Sequence, residues 1–328
     1  MSESDKTEHA GRSLWADAWA DLKRNRLAVF CLWIMVVFCA TALYGEIVYW
    51  RYNIINANPP RFAVPIQKMF IHLLRAQQVA DQIPPYLAPD MNNRYSPPSR
   101  KHVMGTDSLG RDVFLRVVQG ARIAFQVGII TSLIAIPLAV LLGCLAGYFG
   151  GWIDDLVVWL YSTFACMPSL LFILAISMMV GKGLQGVYLG IGLTTCGYLC
   201  RLIRAEVIKH KELTYVRAAK TLGLGPTRII FRHILPNVLH LVIINFSMRF
   251  PAAIETEVIM SFLGIGVQDE PSWGIMISNS RFRLWQGVWW ELAFTTLAIF
   301  LIVLAFNLFG DALRDALDPR LRRQSDKA

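Results

Sequence analysis

The stretch Arg201-LIRAEVIKHKELTYVRAAKTLGLGPTRIIFRHIL-Pro236 is a polar, basic interruption between two runs apolar enough to be membrane spans. Inside it, Leu213 to Leu222 has helical spacing, with Tyr215, Ala219 and Leu222 on one face and Val216 beside them. Gly223 and Gly225 supply a stop, and Pro226 suits the first turn of the next helix. A short helix held against the mouth of a membrane bundle is a part that a soluble partner can push.

Composition sets the class. Of 328 residues, 55% are hydrophobic, and the mean hydropathy is +0.45, which excludes an ordinary soluble domain and points to an all-α polytopic membrane protein. The six cysteines, at 31, 39, 144, 166, 196 and 200, all fall in apolar segments and read as small core hydrophobes. Cys196 and Cys200 are a helical turn apart, but no His or carboxylate completes a metal site beside them, so no metal is expected. The formal charge of +9 is interleaved with the spans rather than gathered on one face, which argues against nucleic acid and for membrane topology.

Six apolar runs are visible: Leu27–Leu43, Ile123–Tyr148, Ile153–Val180, Val187–Leu199, Val238–Met260 and Trp289–Phe309. All but the short fourth are long enough to cross about 30 Å of hydrocarbon, and the fourth does so if extended to Leu184 and Leu202. Around them the chain divides into an amphipathic segment (1–26), a first transmembrane helix (27–49), an outer segment (50–104), a core of five helices (105–310) containing the loop 201–236, and a tail (311–328). Leu14, Trp15, Ala18, Trp19 and Leu22 form a stripe that suits either the membrane surface or the bundle. Pro65 is placed to open a helix carrying Ile66, Phe70, Leu73 and Leu74. No cleaved signal peptide is expected, because the first apolar run is long enough to remain in the bilayer. Six spans put both termini and the loop 201–236 on one side, which also holds most basic residues of the short segments and is therefore expected to be cytoplasmic.

Gly105-Thr-Asp-Ser-Leu-Gly-Arg-Asp112 has the glycine spacing of a phosphate-binding loop, but Arg111 and Asp112 replace the Lys and Ser/Thr that reach phosphate and magnesium. No other Walker-type sequence occurs, so the chain is not expected to hydrolyse nucleotide. The same octapeptide resembles the GTDxxGRD signature of peptide and nickel ABC permeases. Gly120-Ala-Arg-Ile123, Gly150-Gly-Trp-Ile-Asp154, Pro168-Ser169, Arg232-His-Ile-Leu-Pro-Asn237, Ser261-Phe-Leu-Gly-Ile-Gly266, Pro271-Ser-Trp-Gly274 and Gly310-Asp-Ala-Leu-Arg-Asp-Ala-Leu-Asp-Pro319 follow in that family's order. Gly11-Arg-Ser-Leu-Trp15 fits the amino end of the C-type subunit, so the likeness covers nearly the whole chain except about 51–100. Ala218-Ala219, Gly223 and Leu235-Pro236 resemble the EAA loop of ABC importer membrane subunits, with Arg217 where that loop has Glu and His233 where it has Ile.

The resemblance implies the type I ABC importer permease fold in a bacterial inner membrane, with both termini cytoplasmic. It also implies a heterodimer with a B-type sister permease, two cytoplasmic ATPase subunits that carry ATP and magnesium, and a periplasmic binding protein delivering peptide. This chain itself is expected to bind no cofactor. Tyr215, Val216, Arg217, Ala218, Ala219, Leu222, Gly223 and Leu224 are the expected ATPase-docking residues, since an apolar helix face in a polar loop needs a partner. Gly105, Asp107, Arg111, Asp112, Gly264, Gly266 and Trp273 are the candidates for docking the binding protein. Trp285, Trp289 and Trp290 fit an interfacial aromatic belt.

Arg249, Glu255 and Glu257 lie within one apolar run, where a lone charge costs roughly 2.5 to 3.5 kcal/mol. Pro251 is expected to bend that helix and let Arg249 approach Glu255. The three residues either line a translocation path or form a structural ion pair. Cargo other than peptide, nickel or another small solute, stays open. A self-contained secondary transporter would need inverted repeats, which are not visible, and a membrane sensor would need a signalling domain, also not visible.

Overall fold

The computed structural model describes residues 19, 20, 22–53, 83–267 and 270–317. In chain order its helices are α1 (Arg26–Asn53), α2 (Val113–Phe149), α3 (Gly151–Ala165), α4 (Ser169–Val180), α5 (Leu184–Lys211), α6 (Thr214–Thr221), α7 (Pro226–Ile229), α8 (Leu235–Phe262), α9 (Trp273–Ser280) and α10 (Trp290–Leu317). A π turn, Ile230–Ile234, joins α7 to α8. Among the described residues the only β pairing is an isolated bridge between Thr106 and Asp112. α1, α2, α5, α10 and the continuous run α7–α8 are long and apolar enough to cross a membrane.

The centre of the bundle is the pair α2 and α5. In α2, Gly143 and Gly147 stand four apart, and a Cβ added to them would lie 2.9 Å from the Cys200 carbonyl oxygen and 2.8 Å from that of Arg204. Small residues at this spacing let two helix backbones touch, the main source of helix attraction where lipid removes the hydrophobic drive. Farther up the pair, Gly192 of α5 meets Thr131 and Ile134 of α2. Numbers rise together along both helices, so the two run parallel.

Two parallel spans close in sequence require a third that returns between them. α3 and α4 supply it, although they meet at 96°. The contacts along α5 descend in step: Asp154 pairs with Arg204, Tyr161 meets Gly197, Ile173 meets Gly190 and Ser177 meets Gly186. From Arg204 to Gly186 a helix rises about 27 Å, close to the hydrocarbon thickness. The bent pair therefore accompanies α5 across its full depth and makes a sixth span.

The expected straight span Ile153–Val180 is thus broken, at Cys166–Pro168. Pro168 takes φ −57° and ψ 123°, offers no N–H to the turn before it, and disfavours helical geometry at Met167. Pro137 and Pro251 sit inside unbroken helices. The first span continues beyond Leu43 to Asn53, and α2 begins at Val113, ahead of Ile123. Leu22 packs with Ala28 and Ala316, so this end of the amino-terminal stripe faces the bundle. Residues 1–18, the Pro65 helix and the last residues of the tail lie outside the described residues.

Elsewhere, α10 and α8 close on α2 through aromatic rings. Phe250 stacks on Phe306 at 4.4 Å and meets Phe125 edge-on at 5.5 Å, over the bare backbone of Gly128. The starts of α1 and α3, the ends of α2 and α10, and all of α6 gather at one end of the bundle.

Replacing Gly143 or Gly147 with Leu should separate α2 from α5 and cost about 1–3 kcal/mol or more. Gly225→Ala, where nothing lies within 4 Å of the added carbon, should be near neutral. Thermal unfolding of the purified protein in detergent distinguishes them.

Candidate functional site

At the loop end, α6 turns two faces in opposite directions. Val216 (0% exposed) and Ala219 (4%) join one cluster with Ile203 and Val207 of α5, Ile229 of α7 and Ile234 of the π turn, and Leu224 packs against it. Leu222 (80% exposed), Arg217 and Ala218 face outward. The expected face of Tyr215, Ala219 and Leu222 is therefore split. β-branched Val216 and small Ala219 fill the apolar seam, while Tyr215 moves to the edge where its hydroxyl finds polar partners. That hydroxyl lies 2.8 Å from His210 Nδ1 and accepts a hydrogen bond from Asn237 Nδ2 at 3.4 Å.

Other contacts fix the ends of α6. Arg217 pairs with Glu212 at 2.7 Å and holds that carboxyl below its ordinary range, though both are exposed and the pair contributes little to stability. Lys220 lies 5.4 Å from the Tyr148 ring at the end of α2. Gly223, at φ 75°, stops the helix in a left-handed conformation, and the Leu224 N–H returns to the Ala219 carbonyl. The π turn beneath α6 was not legible in the sequence. Leu235 N–H bonds to the Ile230 carbonyl five residues back, just before Pro236, which has no N–H. Such widened turns cluster at functional sites.

At the opposite end, Gly105–Asp112 is a self-closed loop. Asp107 is buried and accepts from Leu109 N–H (2.8 Å), Arg111 N–H (2.9 Å) and Arg111 Nε (2.7 Å), with Arg116 Nε at 3.6 Å. Its amides are already spent on a carboxylate, which explains why the phosphate-loop spacing carries no phosphate chemistry. Asp112 caps α2 by accepting from Phe114 and Leu115 N–H and contacts His102 Nδ1 at 2.8 Å, a cap signalled in sequence by Asp before an apolar run. Trp290 is buried and donates to the Thr106 carbonyl at 3.0 Å, so it belongs to the core and not to an interfacial belt.

Trp273 is likewise 1% exposed, donates to the Val117 carbonyl at 3.0 Å and lies against Gly120. Gly105, Asp107 and Gly266 are also buried, which places them with Trp273 beneath the outer surface and not on it. Of the candidates at this end, Gly264 is exposed, and Arg111 and Asp112 are half-buried. Phe282, Leu284, Trp285 and Trp289 are among the large exposed apolar side chains here.

Glu257 is buried and accepts from Ser261 Oγ at 2.6 Å, with Ser272 as a second donor; Ser261 in turn accepts from Val267 N–H at 3.3 Å. It braces the Ser261–Val267 turn from within the bundle. Arg249 and Glu255 form no ion pair. α8 stays helical through Pro251, and residues six apart on a helix point roughly 120° apart. Glu255 is exposed, whereas Arg249 is half-buried over the Tyr198 ring at 4.3 Å, in a cleft with Thr131, Ser132, Thr195 and Asn245. Arg122, quoted in sequence only as part of a motif, pairs with Glu270 and lies 3.9 Å from the Tyr49 ring, tying α1 and the outer turn to α2.

Residues 139–323 match the model of the binding-protein-dependent transport system inner membrane component, and residues 13–63 match the N-terminal TM domain of oligopeptide transport permease C. The chain is 35% identical over 322 residues to a dipeptide transport system permease protein of Alkalihalophilus pseudofirmus, covering 98% of this chain and 95% of that one. It is 31% identical over 322 residues to an oligopeptide transport system permease protein of Bacillus subtilis, covering 98% and 94%. A glutathione transport system permease protein of Pectobacterium atrosepticum is 39% identical over 226 residues, covering 69% and 75%.

The buried position of Asp107 implies that Asp107→Ala, which strands Arg116, costs about 3–5 kcal/mol. Trp285→Ala, at a side chain 94% exposed, should change stability by less than about 0.5 kcal/mol. Denaturation midpoints of the two variants in detergent check both.

Proposed function

The chain belongs to the family of binding-protein-dependent transport system inner membrane components, as a multi-pass permease subunit of an ABC importer, and from that premise we propose that its cargo is a short peptide. The observation that carries the reading is likeness along almost the entire chain to permeases named for dipeptides and oligopeptides, joined by partial likeness to one named for glutathione, itself a peptide. The subunit pairs with a B-type sister permease, receives peptide from a periplasmic binding protein, and is driven by two cytoplasmic ATPase subunits. It resides in the bacterial inner membrane with both termini cytoplasmic. ATP and magnesium belong to the ATPases, in keeping with the absence of a Walker-type sequence here.

The mechanism follows from how α6 is held. Leu222, Ala218 and Arg217 form the outward face that an ATPase cleft takes up, while Val216 and Ala219 anchor α6 to α5 and α7. A push on the outer face therefore cannot be absorbed by α6 alone. It passes through α5 to its close-packed partner α2, and through the π turn into α8. Because an interior packed at native density rearranges in discrete steps, the spans switch between outward and inward openings. Gly264, Arg111 and Asp112 belong to the surface that meets the binding protein, supported from below by Gly105, Asp107, Gly266 and Trp273.

Co-reconstitution with the sister permease, ATPases and binding protein tests the reading through peptide-stimulated ATP hydrolysis and peptide uptake. Leu222→Glu should weaken ATPase docking by about 2 kcal/mol, roughly thirtyfold, and depress uptake while leaving the unfolding midpoint unchanged. Val216→Glu, which buries a charge, should prevent folding. Nickel or another solute stimulating the complex where peptides do not would overturn the peptide assignment.

A further inference from the structure

Three helices bring polar side chains to one cleft at mid-depth. Thr131 and Ser132 sit near the middle of α2, Thr195 and Tyr198 near the middle of α5, and Asn245 and Arg249 near the middle of α8. Thr131 donates its hydroxyl to Val127 O, Ser132 to Gly128 O and Asn245 one amide N–H to Leu241 O, so the donors left facing an anion here are the second Asn245 N–H and the Arg249 guanidinium. Among the described residues, the Arg249 guanidinium meets no carboxylate. Its contact is the Tyr198 ring, which holds a cation in place without neutralising it. Glu255 points to another side of α8, beside exposed Met248 and Ile259.

An arginine at the centre of a spanning helix is too far from either interface for its side chain to reach headgroups, so the side on which it lies has to offer water or an anion. Guanidinium is also the side chain best matched to a carboxylate, through two parallel N–H donors. We propose that Arg249 is a charge selector in the translocation path, drawing the carboxylate of an anionic or zwitterionic solute into the cleft lined by Ser132, Thr195 and Asn245 and repelling net-cationic cargo. The proposal rests on the permease assignment and gives it a substrate preference.

Its test has two arms in the reconstituted transporter. In the first, a cysteine is placed at Thr195→Cys and its reaction rates with an anionic and a cationic methanethiosulfonate reagent are compared, after subtracting the parent chain's reaction. Focusing of charge in a narrow cleft should favour the anionic reagent by on the order of tenfold. Arg249→Gln should abolish that preference and Arg249→Lys should keep it. In the second, uptake of acidic, neutral and lysine-containing peptides is measured with one saturating binding protein. Arg249→Gln should shift the acidic-to-cationic uptake ratio by about tenfold, with ATP hydrolysis retained. Equal loss for every peptide, or an unreactive Thr195→Cys, would overturn the selector and leave Arg249 a packing residue. A preserved reagent preference with no peptide uptake would instead sink the peptide assignment while supporting the charge selector.

Discussion

Backbone contact between α2 and α5 is the constraint from which the rest of the molecule follows. Gly143 and Gly147 remove the side chains that would hold the helices apart, and the Cys200 and Arg204 carbonyls fill the vacated space. Parallel packing then requires a returning span, and α3–α4 must lie against α5 to provide one. It also sets where α6 can be. α5 ends at Lys211, α2 ends beside Tyr148, and Lys211 and Lys220 both approach that tyrosine ring. The short helix therefore bears on both members of the central pair at once, which is what a transmitting part needs.

The two ends of the bundle are built on different physics. The outer end is held by buried charge: Asp107 organises its loop and faces Arg116, Arg283 approaches Glu291 at 3.9 Å, and Glu257 braces the Ser261 turn. Charges removed from water are costly when a partner is lost, so this end resists piecemeal movement. The loop end is held by one apolar seam under α6 and by exposed polar contacts such as Arg217–Glu212, which are cheap to break. A bundle stiff at the Asp107 end and yielding at the α6 end suits the proposed subunit, whose motion is imposed from one side.

Much of this was legible beforehand, for identifiable reasons. The apolar runs marked the spans, and the helix predicted between Leu213 and Leu222 is found at Thr214–Thr221 because Gly223 and Pro226 act locally. Orientation was less legible. Tyr215, Val216, Ala219 and Leu222 are all apolar or aromatic, and only the seam formed by Ile203, Ile229 and Ile234, distant in sequence, decides which turn inward. Trp273 stands among the expected binding-protein docking residues because Gly120, which admits its ring, lies far back in the chain. Pro137, Pro168 and Pro251 give the same local signal, yet only Pro168 breaks its span. Pairing Arg249 with Glu255 failed on helix geometry alone, since a six-residue separation turns them apart even beside a proline.

Everything turns on whether α3–α4 crosses the membrane despite its bend, because that decides whether α6 lies on the same side of the membrane as the end of α2. Single cysteines at Lys182 and at Thr221, labelled with a membrane-impermeant thiol reagent in intact spheroplasts and again after lysis, read this directly. The account predicts that position 182 is labelled in intact spheroplasts and position 221 only after lysis. Labelling of position 221 in intact spheroplasts, with position 182 reached only after lysis, would mean that α3–α4 enters and leaves by one face, and would contradict the six-span lever.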